Sequence, residues 1–161
     1  MSQPNNPYQG NPHAKAASAY GDHAQAHTTN QRELEARVLQ KSNRMLQDLV
    51  DNWDNLPPAL LEETLKYNRQ IWVLFYDAAI ENKDGNRPND FRSNIVNLAN
   101  FIFKREMDIL ANPSKEKINI LITINREISA GLMSNAQSAS AHQQQPPPQQ
   151  PDTTQKTDIS S

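Results

Sequence analysis

The chain has 161 residues, of which 36% are hydrophobic and 21% charged, and its 16 Lys+Arg against 18 Asp+Glu give a formal charge of -2. That balance speaks against a dedicated electrostatic grip on nucleic acid or on an anionic membrane. The lack of Cys excludes disulfide frameworks, thiolate zinc sites and thiol catalysis.

The N-terminus, with Pro4, Pro7 and Gly10 among Asn and Gln, has neither the charged start nor the apolar stretch of a secretory signal. No apolar run approaches the roughly 20 residues of a membrane-spanning helix. A soluble, cytoplasmic protein is expected. Residues 1–13 are expected to be a disordered tail. Ala14 to Tyr20 can form a short helix interrupted by Gly21.

The foldable part runs from Asn30 to Met133 and contains the apolar periodicity; with the short N-terminal segment it makes a helical domain of residues 14–133. A first helix is predicted from about Asn30 to Trp53, with Leu34, Val38, Met45, Leu46, Leu49 and Trp53 at helical spacing. Pro57-Pro58 ends it and starts a second helix, which reaches Asn82 and a turn at Asp84-Gly85-Asn86. A third helix is predicted from near Pro88 to Ala111. Asn112-Pro113 supplies an N-cap and first-turn proline for a fourth, and Gly131-Leu132 supplies its stop. Nothing alternates at period two, so the expected fold is all-α: a compact bundle of four main helices. Residues 134–161, with seven Gln, five Ser, four Pro and Ile159 as the single large apolar side chain, are expected to be a disordered tail. The run Gln143 to Pro148 could meet a proline-recognising module, but a solvated tail is the preferred reading.

No catalytic constellation is present. His13, His23, His27 and His142 all lie outside the helical core, and the four glycines are scattered singly, so no phosphate loop exists. Glu33/Glu35 and Glu62/Glu63 fit first-turn acids favoured by the helix dipole, and Asp48/Asp51 fits a solvated face. A non-enzymatic protein without metal or cofactor is expected.

Two asparagines stand out. At about 100° per residue, Asn68 falls inside the second helix's stripe of Leu61, Leu65, Ile71, Trp72, Phe75, Ala78 and Ala79. Asn125 falls at the centre of the fourth helix's stripe of Ile118, Leu121, Ile122, Ile128 and Leu132. An unpartnered buried amide costs about 1–3 kcal/mol, so each needs a partner. Each could bond a nearby helix end or loop. A sharper expectation is that Asn68 and Asn125 share one network, with Arg69 and Arg126 at its rim, which sets the register of the bundle. The third helix carries a stripe of Phe91, Ile95, Leu98, Ala99, Ile102 and Ile109, and an adjoining one of Val96, Phe103, Met107 and Leu110. Such width fits a central helix, or a groove at Val96, Phe103 and Met107 that receives an amphipathic partner. Trp53, Tyr67, Trp72 and Tyr76 are further aromatic anchors that default to core, with Trp72 also a candidate for partner binding.

Ala19-Tyr20-Gly21, Arg32-Glu33-Leu34-Glu35, Asn68-Arg69 with Trp72, Asn97-Leu98-Ala99, and Ile124-Asn125-Arg126 with Gly131-Leu132 occur in this order. The ordered set, spread over about Ala14 to Leu132, resembles the FlaF family of flagellar biosynthesis regulators. Arg87 departs from the pattern, standing where an apolar residue is expected, and the Gln/Pro tail lies outside it. The resemblance implies a cytoplasmic, non-enzymatic protein needed for flagellin production and export. It would bind flagellin as a secretion chaperone and act alongside FlbT. The rival is a post-transcriptional regulator of flagellin messenger RNA, with Arg37, Lys41 and Arg44 of the first helix meeting phosphate or with FlbT as intermediary. Glu33, Glu35 and Asp48 dilute those cations, which makes direct nucleic-acid contact the weaker reading. The sequence leaves oligomeric state open.

Overall fold

The computed structural model describes residues 12–143 except Asp84 and Asn86, with side chains described between Thr29 and Ala141. Among the described residues four α-helices follow in order, α1 (Pro12–Asp51), α2 (Pro58–Glu81), α3 (Asn89–Ala111) and α4 (Lys115–Gln143), with a 3-10 turn at Trp53–Asn55. No strand occurs among the described residues, so the fold is the all-α bundle predicted. Residues 1–11 and 144–161 and the side chains of the four histidines lie outside the described residues; residues 12–13 and 134–143, expected within the disordered tails, are helical because α1 and α4 extend through them.

The helix ends show why the chain turns where it does. Pro58 opens α2 in the first-turn position, where its missing N–H costs nothing. At the other end Asn82 adopts the left-handed conformation (φ 42°), and its N–H closes on the Ala78 carbonyl at 3.0 Å. Gly85 follows with φ 62°, in the turn region expected. Arg92 of α3 donates to the Ala79 and Ile80 carbonyls at 2.6 and 3.0 Å, satisfying acceptors that the end of α2 leaves open. This clamp fixes the α2–α3 hairpin. The α3–α4 connection is held by Lys117, which bonds the Asn112 carbonyl at 2.8 Å and pairs with Asp108 at 3.0 Å.

Three local expectations are corrected. The N-terminal segment and the first helix are one continuous helix that passes through Gly21. The cap of α4 is Ser114, whose hydroxyl accepts from the Lys117 N–H at 3.4 Å, and not Asn112, which is extended ahead of Pro113. The stop at Gly131-Leu132 does not occur: α4 continues to Gln143 because Leu132 and Ala136 carry its buried seam onward against α1.

The core lies where α1 and α4 pack along their length and the α2–α3 hairpin closes over them. Asn43 of α1 donates to the Ile122 carbonyl of α4 at 3.0 Å, while Thr29 and Glu33 border Met133 to Ala141, so the pair is antiparallel. The buried seam of α1 is Ala36, Leu39, Ser42, Leu46 and Leu49. Leu34, expected in the core stripe, is 62% exposed, and Val38 and Met45 are half-buried at its flank. Ile95, Ala99, Ile102 and Ile109 of α3 meet Leu61, Leu65, Trp72 and Ala79 of α2 and Ile118, Leu121 and Leu132 of α4 in one apolar cluster.

Candidate functional site: a buried polar network and an exposed apolar face

At the centre of the bundle an amide pair replaces apolar contact. Asn125 Nδ2 donates to Asn68 Oδ1 at 2.7 Å, joining α4 to α2. Ser42 of α1 donates to the same oxygen at 2.8 Å, and Asn68 Nδ2 donates to Glu106 Oε1 of α3 at 2.9 Å. Trp72 Nε1 donates to Asn125 Oδ1 at 2.8 Å. All four helices are therefore tied through two amides. Every member is buried, with Asn68, Asn125, Glu106, Ser42 and Trp72 each at 0% exposure. Satisfied polar groups in a low-dielectric interior favour one arrangement over its competitors, because a shift of one helical position strands each of them.

Glu106 is the strained member. Its Oε2 is buried without a partner. Burial raises the carboxyl from its ordinary 4.5 to about 7, and the Asn68 hydrogen bond and the positive charge of Arg69 pull the other way.

The residues singled out in sequence fall into distinct places. Asn68 and Asn125 meet directly. Arg69 is half-buried and acts on Glu106 through its charge, while Arg126 is exposed on α4. Trp72 is fully buried, its ring edge-on to Phe75 at 5.6 Å, so it holds the interior and presents no surface to a partner. Val96 and Phe103 are half-buried at the rim of the core, and Met107 is 65% exposed. Ser42 and Glu106 escaped the sequence analysis. Glu106 continues the seam 95–99–102–106–109, so the helical count that exposes Asn68 also locates it.

The apolar surface of the hairpin extends beyond those three residues. Phe103 sits against Tyr76, ring centroids 6.4 Å apart, so Val96 and Phe103 of α3 lie toward Tyr76 and Ile80 of α2, while Met107 and Leu110 continue the row toward the start of α2. Val73, Ile80 and Leu110 are 41%, 51% and 41% exposed. On α1 the cations considered for phosphate are partly engaged: Arg37 pairs with Glu33, and Lys41 lies 5.1 Å from the Tyr67 ring centre. Among the described residues no group of His, Cys, Asp or Glu could hold a metal, and no helix is long and apolar enough to cross a membrane.

Residues 16–132, which contain the whole network and the hairpin face, match the family described as flagellar protein FlaF. The chain belongs to the FlaF family. Neither a curated protein sequence nor a solved structure matches it. Within this FlaF-family chain the departure at Arg87 has a structural answer. Its guanidinium donates to both Glu35 oxygens at 2.7 Å and lies over the Phe91 ring at 5.4 Å, so the cation is paired and covered where an apolar residue was expected.

Proposed function

We propose that this FlaF-family protein is a non-enzymatic, cytoplasmic factor in flagellar biosynthesis that binds flagellin as a secretion chaperone. Family membership supports a flagellar role. The observation that carries the finer reading is the apolar face of the α2–α3 hairpin. The interior of the bundle is already filled by Trp72 and the Asn68–Asn125 network, so Met107, Ile80 and their neighbours lie on a finished surface. Contiguous apolar residues on a rigid helical scaffold suit an amphipathic segment laid along them, and covering that segment would keep an unassembled subunit from aggregating.

The test is size-exclusion chromatography with light scattering on the full chain co-expressed with its cognate flagellin, at low and high salt. A one-to-one complex that persists at high salt is expected, because apolar burial is weakly screened. Absence of a complex would remove the chaperone reading. Its place would go to an adaptor acting through FlbT or to direct messenger-RNA binding, the latter recognised by a steep loss of affinity with salt.

A further inference from the structure

The buried residues divide the bundle into unlike ends. The polar network of Ser42, Asn68, Trp72, Glu106 and Asn125 crosses all four helices at one level. On the side where α1 ends and α4 begins, the interior is filled by large side chains, Leu46, Leu49, Leu65, Ile109, Ile118 and Leu121. The four buried alanines among the described residues, Ala36, Ala79, Ala99 and Ala136, all lie on the opposite side, with Leu39, Ile95, Ile102 and Leu132 as the larger fillers. The rings on that side, Phe75 and Phe91, are half-buried. Apolar stabilisation follows the area removed from water, so the packing weakens toward the tip of the α2–α3 hairpin.

The connections between the halves are as unequal. Because α1 and α4 are antiparallel, the links at residues 52–57 and 112–114 both stand at the end filled by large side chains. Each link carries a proline, Pro57 or Pro113, which keeps the helices on its two sides separate. Lys117 braces the second link through the Asn112 carbonyl and Asp108. At the far end the hairpin tip is tied to α1 by Arg87 and Glu35 at 2.7 Å.

Each half also has fastenings of its own. Arg92 holds α3 to the end of α2, and the Asn68–Glu106 bond joins the same two helices. Asn43 bonds the Ile122 carbonyl, and the α1–α4 seam runs on through Leu132 and Ala136. Across the middle, by contrast, the halves are joined by Ser42–Asn68, Asn125–Asn68 and Trp72–Asn125, polar contacts that water can replace on both sides. Glu106 Oε2, buried without a partner, gains one once water reaches this seam.

We propose that the bundle is a jaw: the α2–α3 hairpin swings as one unit away from the α1–α4 pair about its two proline-bearing links, with the Arg87–Glu35 pair as the latch. Such a motion concentrates its change in a few link residues and leaves both halves helical. The alanine end parts first, and Trp72 is uncovered from the side of the hairpin tip. The jaw concerns the interior of the bundle and is independent of the hairpin's outer face and of what binds there.

The chain has no Cys, so spin labels can be placed at chosen positions of the full-length protein. Gln40→Cys with Lys83→Cys spans the jaw from α1 to the hairpin tip, and Asp77→Cys with Asn97→Cys lies within the hairpin; all four positions are exposed. Double electron–electron resonance is expected to show one main distance across the jaw and a minor longer component. Glu35→Ala should enlarge the longer component at least about threefold, through loss of a partly sheltered ion pair, and leave the distance within the hairpin unchanged. The charge-swapped variant Glu35→Arg/Arg87→Glu should return it toward the wild-type value. Lys117→Ala removes an ion pair at the link end and should leave the longer component as it is, which separates opening from general loss of stability. With Trp53→Phe, Trp72 is the one tryptophan left, and Glu35→Ala should raise its quenching by acrylamide at least about twofold while circular dichroism stays the same. The jaw is overturned if the longer component is absent from wild type and Glu35→Ala alike, or if Lys117→Ala enlarges it as much as Glu35→Ala does. It is equally overturned if the distance within the hairpin broadens together with the one across the jaw, because the hairpin is then melting and not swinging.

Discussion

Asn68 and Asn125 meet side chain to side chain at 2.7 Å, and with Ser42–Asn68 and Trp72–Asn125 this contact bonds the α1–α4 pair to the α2–α3 hairpin inside the core. Asn68 uses its carbonyl twice, for Asn125 and Ser42, and its amide for Glu106. Replacing it with leucine, which branches at the same atom, would leave one hydroxyl, one amide and one carboxyl oxygen without their partner. Each stranded group costs about 1–3 kcal/mol where relaxation cannot rescue it. Asn68→Leu is therefore expected to lower unfolding free energy by about 2–4 kcal/mol and to broaden the transition in urea. A sharp transition at a higher midpoint would show that the network does not specify the packing.

Glu106 makes stability depend on pH in an unusual direction. Its folded value of about 7 lies above the ordinary 4.5, so the folded protein holds a proton that the unfolded chain releases. The contribution of this group is fully present below about 4.5 and is lost as pH rises through about 7. The loss is on the order of 3 kcal/mol, because each tenfold difference in proton affinity between the folded and unfolded chain is worth about 1.4 kcal/mol. Arg69 is the charge that acts on it, and its hydrogen-bond partner, Asn68, is neutral. Urea midpoints measured from pH 5 to pH 8 should fall for wild type and stay nearly level for Glu106→Gln, which should be the more stable protein at pH 8. A wild-type curve as flat as that of the variant would count against a buried, proton-holding Glu106.

What the sequence discloses about this site follows from how far a residue's type departs from its surroundings. Asn68 and Asn125 are legible because an amide inside a run of Leu, Ile and Trp has no local explanation. Glu106 stands at the same kind of position, but it neighbours Lys104, Arg105 and Asp108 and blends with a solvated face. On α1 two adjoining stripes compete, and only the position of α4 decides that Leu39 and Ser42 go inside while Leu34 stays out. The end of α4 is a conflict of the same kind. Gly131-Leu132 is a local stop signal, and the packing of Leu132 and Ala136 against α1, a long-range effect, overrides it.

That conflict makes Gly131 a sensitive probe. In the structure it is an exposed helical position, and a Cβ there would meet nothing within 4 Å. Gly131→Ala should therefore stabilise the protein by about 0.5–1 kcal/mol, through the cost that glycine carries in a helix interior. A glycine serving as a left-handed helix stop would give the opposite sign, because alanine is strained there. Chemical denaturation of the two proteins, with amide exchange across residues 132–143, separates the two outcomes. Lower stability for the alanine variant would mean that α4 ends at Gly131.

The Arg87–Glu35 pair ties the α2–α3 connection to α1 in a partly sheltered place, with side chains 22% and 13% exposed. Screening by water is incomplete there, and the guanidinium also covers Phe91. A double-mutant cycle of Arg87→Ala and Glu35→Ala should give a coupling energy of about 0.5–1.5 kcal/mol, above that of most exposed ion pairs. The coupling should shrink between 50 mM and 1 M salt, while the loss from Arg87→Ala alone should keep a salt-independent part from its contact with Phe91. Arg87→Leu distinguishes the two contributions. If it matches wild type at both salt concentrations, the position needs only apolar cover, and the ion pair contributes nothing measurable. If it loses stability at low salt and recovers part of the difference at high salt, the charge at position 87 is what anchors the hairpin to α1.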